Sequence, residues 1–135
     1  MTRLAFLGPP GTWGELAAMK FDPNAELLPF PSHAAVAVAV ESGMADAGVV
    51  AIENSINGSV QETLDILIHE TSLKIQAELL LPIEHNLVAP PGTRADQVKV
   101  IFSHPQALGQ CRKFLERCFP KAQAEAALSG FAQSR

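Results

Sequence analysis

The feature that most constrains the fold is a repeated succession of a short apolar run, a loop rich in Gly, Pro, Ser or Asn, and a segment with helical spacing. Leu4–Leu7 leads through Gly-Pro-Pro-Gly-Thr into a helical pattern at Trp13–Phe21. Leu27–Phe30 leads through Ser32 into Ala34–Val40. Strands that alternate with helices are typical of a parallel sheet covered by helices. The sequence therefore predicts an α/β fold.

The same succession continues towards the carboxyl end of the chain. Ala47–Ile52 is continuously apolar and predicts a strand that is buried on both faces. Ser59 and Glu62 have the spacing of a capping box, which predicts that a helix begins there. Val98–Phe102 predicts another buried strand, and a helix is expected from Pro105 to Phe119, because proline suits the first helical position.

Three stretches fit this succession less well. Leu73–Val88 is a long extended run, partly alternating, that is suited to link two sheets. The string Pro-Pro-Gly-Thr occurs twice, at Pro9–Thr12 and at Pro90–Thr93. Duplication of a unit or common turn chemistry would explain the repeat, and turn chemistry is the more economical explanation. Ala122–Ala127 fits one more strand or a weak helix, and no periodic apolar signal follows it.

Length and composition exclude several classes of protein. The 135 residues, 47% apolar, suffice for one compact domain with a core. The net charge of −4 and the absence of a basic run argue against nucleic acid as a partner. The apolar run that ends at Leu7 is too short for a signal peptide or a membrane helix, so we expect a cytoplasmic protein that does not engage a membrane.

The two cysteines, Cys111 and Cys118, lie two helical turns apart, ~10.5 Å. This is too far for a disulfide, so we expect both thiols to pack in the core.

Three loops share one design, because each follows an apolar strand and leads to a helix. They are Gly8–Thr12, Glu53–Ser59 and Ser103–Gln106. At the carboxyl ends of parallel strands, such loops and the helix-end amides beside them favour small anions. The alternative interpretation is that these residues serve only as caps and turns.

Polar side chains in the second and third loops are the candidate ligand-binding groups. Glu53 and Asn54 follow a strand directly, and Asn54 can both donate and accept hydrogen bonds. Gln106 and Gln110 are four residues apart, on one face of the predicted helix. His104 is a candidate acid or base, although a histidine at a helix start is also common as a cap or packing residue.

The remaining histidines and glycines argue against other chemistry. His33, His69 and His85 have no Cys or acidic partners at metal-ligand spacing, and no Gly-x-Ser-x-Gly elbow occurs. The glycines of Gly8–Gly14 fit neither a dinucleotide fingerprint nor a Walker loop. The sequence therefore predicts no metal, no acyl-enzyme and no cofactor.

Taken together, four segments resemble the prephenate dehydratase family, lyases of phenylalanine biosynthesis. They are FLGPPGTWGELAA from Phe6, VVAIENSINGSVQETLDIL from Val49, LLLPIEHNLVAPPG from Leu79 and VIFSHPQALGQC from Val100. The segments run in the family's order. The resemblance implies decarboxylating dehydration of the dicarboxylate prephenate to phenylpyruvate, in an assembly of identical subunits.

The resemblance also implies a type II periplasmic-binding-protein-like fold, two α/β lobes with a cleft between them. Lobe one would be residues 1–78, and residues 79–135 would form the crossover and an incomplete second lobe. The catalytic residues carried over are Glu53, Asn54, Ser103 and Gln110. To these we add, as substrate-binding or loop-shaping groups, Thr12, Ser55, Ser59, His104 and Gln106. Because Glu53 would repel an anion, we expect it to orient Asn54 or nearby amides.

The sequence departs from the family pattern at three points. Trp13-Gly14 stands where an aromatic residue and a serine are common, which removes a hydroxyl near a helix start. The family's Thr-Arg-Phe block, whose threonine is the usual candidate acid or hydroxyl-positioning group, does not occur, and neither does the regulatory ACT module. We therefore expect this chain alone to be incomplete as an enzyme.

The alternatives to a dehydratase are a non-catalytic module that binds an aromatic acid and, more weakly, an extracytoplasmic solute-binding protein. Arogenate, the aminated relative of prephenate, is an alternative substrate.

Overall fold

The structure is a computed structural model that describes residues 1–55, 58–126 and 133–134. The chain forms two compact units, Met1–Pro82 and Ile83–Arg135. Both contain parallel strands and helices, so the α/β prediction is confirmed.

The first unit is built on a three-stranded parallel sheet with the order β2-β1-β3. The helices and strands predicted before residue 42 are confirmed within one or two residues. In chain order the elements are β1 (Arg3–Leu7), α1 (Trp13–Phe21), β2 (Glu26–Phe30), α2 (His33–Glu41), β3 (Ala47–Val49), β4 (Glu53–Asn54), β5 (Gly58–Ser59) and α3 (Gln61–Asp65), continued by a π-helical turn at Ile66–Glu70.

The core of the first unit lies on both faces of the central strand β1. Leu4 and Phe6 are buried in one apolar cluster with Ala18 of α1. Ala5 points to the opposite face and is buried in a second cluster with Val36 of α2. Alternate residues of a strand face opposite sides, so a central strand covered on both sides must be apolar throughout. This explains the unbroken apolar run at Leu4–Leu7.

An ion pair ties the start of β1 to the segment before β3. Arg3 Nη2 lies 3.1 Å from Asp46 Oδ1, and the Arg3 backbone N–H donates to Asp46 Oδ2 at 2.8 Å. The hydrogen bond from the Arg3 side chain holds the pKa of the Asp46 carboxyl below its usual value. Both side chains are partly exposed, so this contact contributes little to stability.

The prediction of a doubly buried strand at Ala47–Ile52 is wrong in length and burial. β3 ends at Val49 and lies at the edge of its sheet, and Ile52 is 41% exposed. An edge strand has a neighbour on one side only, so a continuous apolar run does not guarantee that every residue is covered. Glu53 is accordingly exposed and does not follow a buried strand directly.

The predicted capping box at the start of α3 is also wrong. Ser59 lies in β5, Val60 occupies the cap position, and no side chain caps the helix. Glu62 instead accepts a hydrogen bond from the backbone N–H of Ala34, at 3.4 Å. A carboxylate near the start of a helix is stabilised by the amides of that helix. The Glu62 carboxylate therefore stabilises the start of α2, although Glu62 belongs to α3.

The long extended run at Leu73–Val88 forms neither helix nor strand, and most of its side chains are exposed. Lys20 donates to the carbonyl of Leu80 at 2.8 Å. The turn predicted at Pro90–Thr93 is confirmed, since the Thr93 N–H donates to the Pro90 carbonyl at 3.2 Å.

The second unit contains a three-stranded sheet with the order β7-β6-β8, in which β7 is parallel to β6 and β8 is antiparallel. Val98 and Ile101 are buried. The terminal segment that fitted strand or helix is a strand, and a two-residue strand follows it. The elements are a 3₁₀ turn (Ala95–Gln97), β6 (Val100–Ser103), α4 (Pro105–Gln110), α5 (Arg112–Cys118), β7 (Gln123–Ala126) and β8 (Gln133–Ser134).

The single helix expected from Pro105 to Phe119 is interrupted at Cys111, which separates α4 from α5. Both cysteines are free, as expected, but Cys111 is half-buried and Cys118 is exposed. Core packing of the thiols is therefore wrong for Cys118, because α5 has no buried residue.

Candidate functional site

In the first unit, the candidate residues follow strands that end at one edge of the sheet. Leu7 pairs with Phe30, and Phe6 pairs with Val49. Because all three strands are parallel, β1, β2 and β3 end together at what we call the carboxyl edge. The loop that contains Thr12 and the chain that leads to Glu53 both start there, as the strand–loop–helix pattern predicts.

The first loop uses its own polar groups to hold its shape. The Thr12 hydroxyl lies 2.8 Å from the Pro9 carbonyl and 3.3 Å from the Leu7 carbonyl, and it does not cap α1. The Gly11 N–H donates to Glu15 Oε2 at 2.8 Å. Thr12 is therefore placed to shape the loop, one of the two roles expected for it.

The second copy of this tetrapeptide makes the same turn. The Thr93 hydroxyl donates to the Pro90 carbonyl at 2.7 Å, as Thr12 does to Pro9. The glycines that precede the two threonines both have positive φ, 87° at Gly11 and 81° at Gly92, a conformation that glycine adopts without strain. Common turn chemistry thus accounts for the repeated string.

Gly14 lets α1 approach the end of β1 closely. A Cβ atom built at Gly14 would lie 2.7 Å from the Leu7 carbonyl oxygen, closer than real Cβ contacts allow. A side chain here would push the helix away from the strand.

The Glu53–Ser59 segment is a short hairpin held at its base. Glu53 pairs with Ser59 and Asn54 with Gly58. Ser55 is exposed in the turn that follows, and residues 56 and 57 lie outside the described part of the chain. Asn54 is half-buried, whereas the Glu53 and Ser59 side chains are exposed.

Two hydrogen bonds fasten this hairpin to the start of α3. The Val60 N–H donates to the Ile52 carbonyl at 2.8 Å. The Thr63 hydroxyl donates to the Ala51 carbonyl at 2.6 Å, and Thr63 is only 1% exposed. A buried threonine therefore clamps the chain just before Glu53.

The first turn of α2 contains a buried histidine. His33, the first residue of α2, is 6% exposed, and its Nδ1 has no hydrogen-bond partner. Burial lowers the pKa of His33, and the negative charge of Glu62 offsets part of that change. The first turn of α2 is thus already supplied with acceptors, since Glu62 receives the Ala34 N–H and Ser32 caps Ala35 at 3.0 Å.

In the second unit, the candidate residues lie at the end of β6 and along α4. Ser103 is the last residue of β6 and is buried. His104 is exposed, and its carbonyl accepts the Leu108 N–H at 3.1 Å, which begins the helix. Gln106 lies in α4, and its side chain is outside the described part. Gln110 ends α4 and is half-buried.

The Gln110 side chain bonds to a residue that the sequence interpretation had set aside. His85 Nε2 lies 2.7 Å from Gln110 Oε1. An amide oxygen can only accept, so the ring nitrogen is the donor. Gln110 therefore has a fixed partner 25 residues earlier in the chain.

The three candidate loops carry no Lys or Arg, so their donors are amides, hydroxyls and His104. Across residues 1–55, 58–126 and 133–134, no cluster of three His, Cys, Asp or Glu is arranged to hold a metal ion. Within the same ranges, no helix has the length and apolar character needed to cross a bilayer.

Sequence reasoning missed the hydrogen bonds that three residues make, Thr63, Glu62 and His85. Thr63 is preceded by a plausible capping pattern that drew attention to Ser59 instead. Glu62 was assigned to the wrong helix. His85 was tested only as a metal ligand, although it lies inside one of the four segments that carry the resemblance, and that membership was the available signal.

Comparison with known proteins supplies the family. The prephenate dehydratase family model matches residues 4–133. The chain belongs to the prephenate dehydratase family. The match includes all of the candidate residues in both units.

Individual relatives agree with this family. Arogenate dehydratase 5 from Arabidopsis thaliana, named as chloroplastic, is 40% identical over 92% of this chain and 29% of its own length. A prephenate dehydratase from Lactococcus lactis is 36% identical over 91% of this chain and 43% of its own. A solved prephenate dehydratase from Arthrobacter aurescens, in complex with L-Phe, is 32% identical with a TM-score of 0.84 and covers 98% of this chain and 49% of that one. The chain thus spans less than half the length of these proteins.

Proposed function

We propose that this chain forms part of the catalytic region of a dehydratase that converts prephenate to phenylpyruvate in phenylalanine biosynthesis. The observation that carries the proposal is the family match, which spans both polar segments, Glu53–Ser59 and Ser103–Gln110. Prephenate is the proposed substrate and arogenate the alternative, because relatives of this chain are named for each.

The proposed chemistry suits the donors that the segments supply. Loss of carbon dioxide and of the ring hydroxyl from prephenate creates the aromatic ring, and the departing hydroxyl must receive a proton. Asn54, Ser103 and Gln110 can hold the two carboxylates by hydrogen bonds, with Ser55, Ser59 and Gln106 as further candidates. Glu53 is proposed to orient Asn54 or neighbouring amides rather than to meet a carboxylate.

The proposed architecture is a type II periplasmic-binding-protein-like fold with the active cleft between two lobes. Lobe one corresponds to residues 1–78, and residues 79–135 correspond to the crossover and part of lobe two. The family resemblance supports this assignment, as do parallel strands in each of the two compact units.

The decisive experiment compares two proteins. One is the purified 135-residue chain, and the other is a fusion of this chain to the remaining carboxyl-terminal part of the Lactococcus lactis relative. Each is incubated separately with prephenate and arogenate, and product is followed by its ultraviolet absorbance. We expect turnover by the fusion and, because no Thr-Arg-Phe string occurs in this sequence, little by the chain alone. Turnover of prephenate by the chain at the rate of the fusion would reject the incompleteness proposal.

Matched variants of the fusion test the assigned residues. Asn54→Ala is expected to lower turnover, whereas Asn24→Ala is not. Asn24 is an exposed asparagine between α1 and β2, at the sheet edge opposite the carboxyl edge. Glu53→Gln separates charge from shape, and normal turnover by this variant would reject an essential negative charge at Glu53.

A non-catalytic module that binds an aromatic acid is the alternative function. Calorimetry that detects prephenate binding, together with a fusion that never turns it over, would favour this alternative. No binding and no turnover with either substrate would reject both proposals.

Assembly and location are further proposals. We propose a homo-oligomer, which light scattering on the purified chain tests. A cytoplasmic location is also proposed and is tested by cell fractionation. The plant relative Arogenate dehydratase 5 is named as chloroplastic.

A further inference from the structure

We propose that His85 is a positioning residue that fixes the side-chain amide of Gln110 so that its NH₂ group faces the substrate's carboxylate. The inference rests on the proposed function and extends it to a residue outside the assigned set. Both residues belong to the second unit.

The geometry of one hydrogen bond carries the argument. The 2.7 Å distance from His85 Nε2 to Gln110 Oε1 is short for an N–H···O bond. A glutamine amide has an acceptor oxygen on one side and a two-proton donor on the other. With the oxygen held by the His85 N–H, rotation of the amide by half a turn would bring N–H groups against an N–H group. A ring that carries its proton on Nε2 therefore selects one of the two amide orientations, and the ¹⁵N measurement below tests that tautomer.

The selected orientation matters because of the ligand's charge. Prephenate carries two carboxylates, which accept hydrogen bonds and repel an amide oxygen. The segment Ser103–Gln110 has no Lys or Arg, so neutral dipoles must supply the attraction. A freely rotating amide would present its oxygen for part of the time, and the fixed amide presents donors only. Preorganised donors avoid the cost of reorientation when the ligand binds.

The placement of the two residues suits this role. His85 is exposed in a segment without helix or strand, and Gln110 ends α4, where its backbone is held by the helix. Gln110, the group assigned to the ligand, is thus held by the helix backbone, and His85 reaches its amide from a segment 25 residues earlier. Replacing His85 should change the amide's orientation without displacing α4.

The experiment uses four variants and one control, each made both in this chain and in the fusion described above. His85→Leu removes the donor, and His85→Gln retains a side-chain N–H at similar reach. Gln110→Ala removes the amide, and the double variant His85→Leu/Gln110→Ala closes a thermodynamic cycle. His69→Leu is the control, because His69 is an exposed histidine in the π-helical turn of the first unit.

Calorimetry with prephenate measures the effect on binding. We expect affinity to fall about tenfold in His85→Leu and to recover to within about threefold of wild type in His85→Gln, because a hydrogen bond to a charged group is at stake. The double variant should bind no more weakly than Gln110→Ala. Wild-type affinity in His85→Leu, or independent losses that multiply in the double variant, would overturn the inference.

A second measurement does not depend on the ligand. In ¹⁵N spectra of the free protein, His85 should hold its proton on Nε2, and Gln110→Ala should redistribute that proton between the two ring nitrogens. An unchanged proton distribution in Gln110→Ala would overturn the pairing. If neither the chain nor the fusion described above binds prephenate or arogenate, the proposed function fails and the ligand assignment for Gln110 fails with it, while these spectra still decide whether His85 orients the amide.

Discussion

Gly14 and Gly109 allow one chemical change to be made in two opposite environments. Both are helical glycines, in α1 and α4. An alanine Cβ at Gly14 would lie 2.7 Å from the Leu7 carbonyl oxygen, whereas a Cβ at Gly109 meets no heavy atom within 4 Å. Gly14→Ala should therefore destabilise the protein, and Gly109→Ala should stabilise it.

The magnitudes follow from two opposing contributions. Forcing a methyl group into occupied space costs about 1–3 kcal/mol of unfolding free energy. Replacing glycine by alanine in a helix interior gains about 0.5–1 kcal/mol, and less near a helix end. Gly14 is the second residue of α1 and Gly109 is the next-to-last residue of α4, so the gain is at the low end at both positions. We expect a net loss of about 1–2 kcal/mol for Gly14→Ala and a gain of about 0.5 kcal/mol for Gly109→Ala.

Urea unfolding measures both changes. Trp13 is the only tryptophan and is adjacent to Gly14, so its fluorescence reports on the first unit, and far-ultraviolet circular dichroism reports on the helices of both. Gly14→Ser has the same Cβ, so it should lose about as much stability as Gly14→Ala although it adds a hydroxyl. A Gly14→Ala or Gly14→Ser protein as stable as wild type would refute the close approach of α1 to β1.

Three further predictions concern single contacts. Thr63→Val removes the hydroxyl that donates to the Ala51 carbonyl. It should lower the free energy of unfolding by about 1 kcal/mol and speed up hydrogen exchange at the Val60 amide. Thr63→Ser keeps the bond and should leave that exchange slow; equal exchange in both variants would contradict the clamp. His33 has a lowered pKa, so the unfolded state takes up its proton first and stability falls as pH drops below 6.5. His33→Leu should therefore lose less stability than wild type between pH 7 and pH 5 in thermal unfolding, and equal losses would refute this. Asp46 has a lowered pKa, so the contact with Arg3 acts above pH 3.8 and is lost as pH falls through the folded-state value. Asp46→Asn should differ slightly from wild type at pH 7 and not at pH 2, and a difference that persists at pH 2 would contradict the ion pair.

Local periodicity predicted the elements whose apolar residues are covered by neighbouring elements. Leu4–Leu7 and Ala34–Val40 pack directly against each other, so their apolar patterns report real burial. Ala47–Ile52 has an equally apolar pattern, but β3 has a neighbour on one side only and ends at Val49. Composition within a segment cannot show how many strands lie beside it, which is why its extent and burial were overestimated.

The candidate site shows the same limit for hydrogen bonds. The residues that resemble the family's site are legible because they occur in continuous strings. The hydrogen bonds around them are not legible, since the Thr63 hydroxyl bonds 12 residues away and His85 bonds 25 residues away. A capping pattern around Glu62 was chemically reasonable, but the amide of Ala34 offered another partner once α2 and α3 packed together.

The hydrogen bonds of Thr63 and His85 also bear on whether the chain only binds a ligand or also takes part in catalysis. In the function proposed above, Asn54, Ser103 and Gln110 act as neutral donors, so their attraction for a dianion would depend on orientation rather than on net charge. Thr63 holds the Ala51 carbonyl in the first unit, and His85, by the inference above, orients the Gln110 amide in the second. Breaking the bond to the departing hydroxyl needs something more, a proton delivered at the right point, and the ionisable side chains in the candidate segments are Glu53 and His104. Binding and turnover therefore depend on different atoms. Variants of Thr63 and His85 should change affinity, and only variants of a proton donor should change the chemical step at saturating substrate.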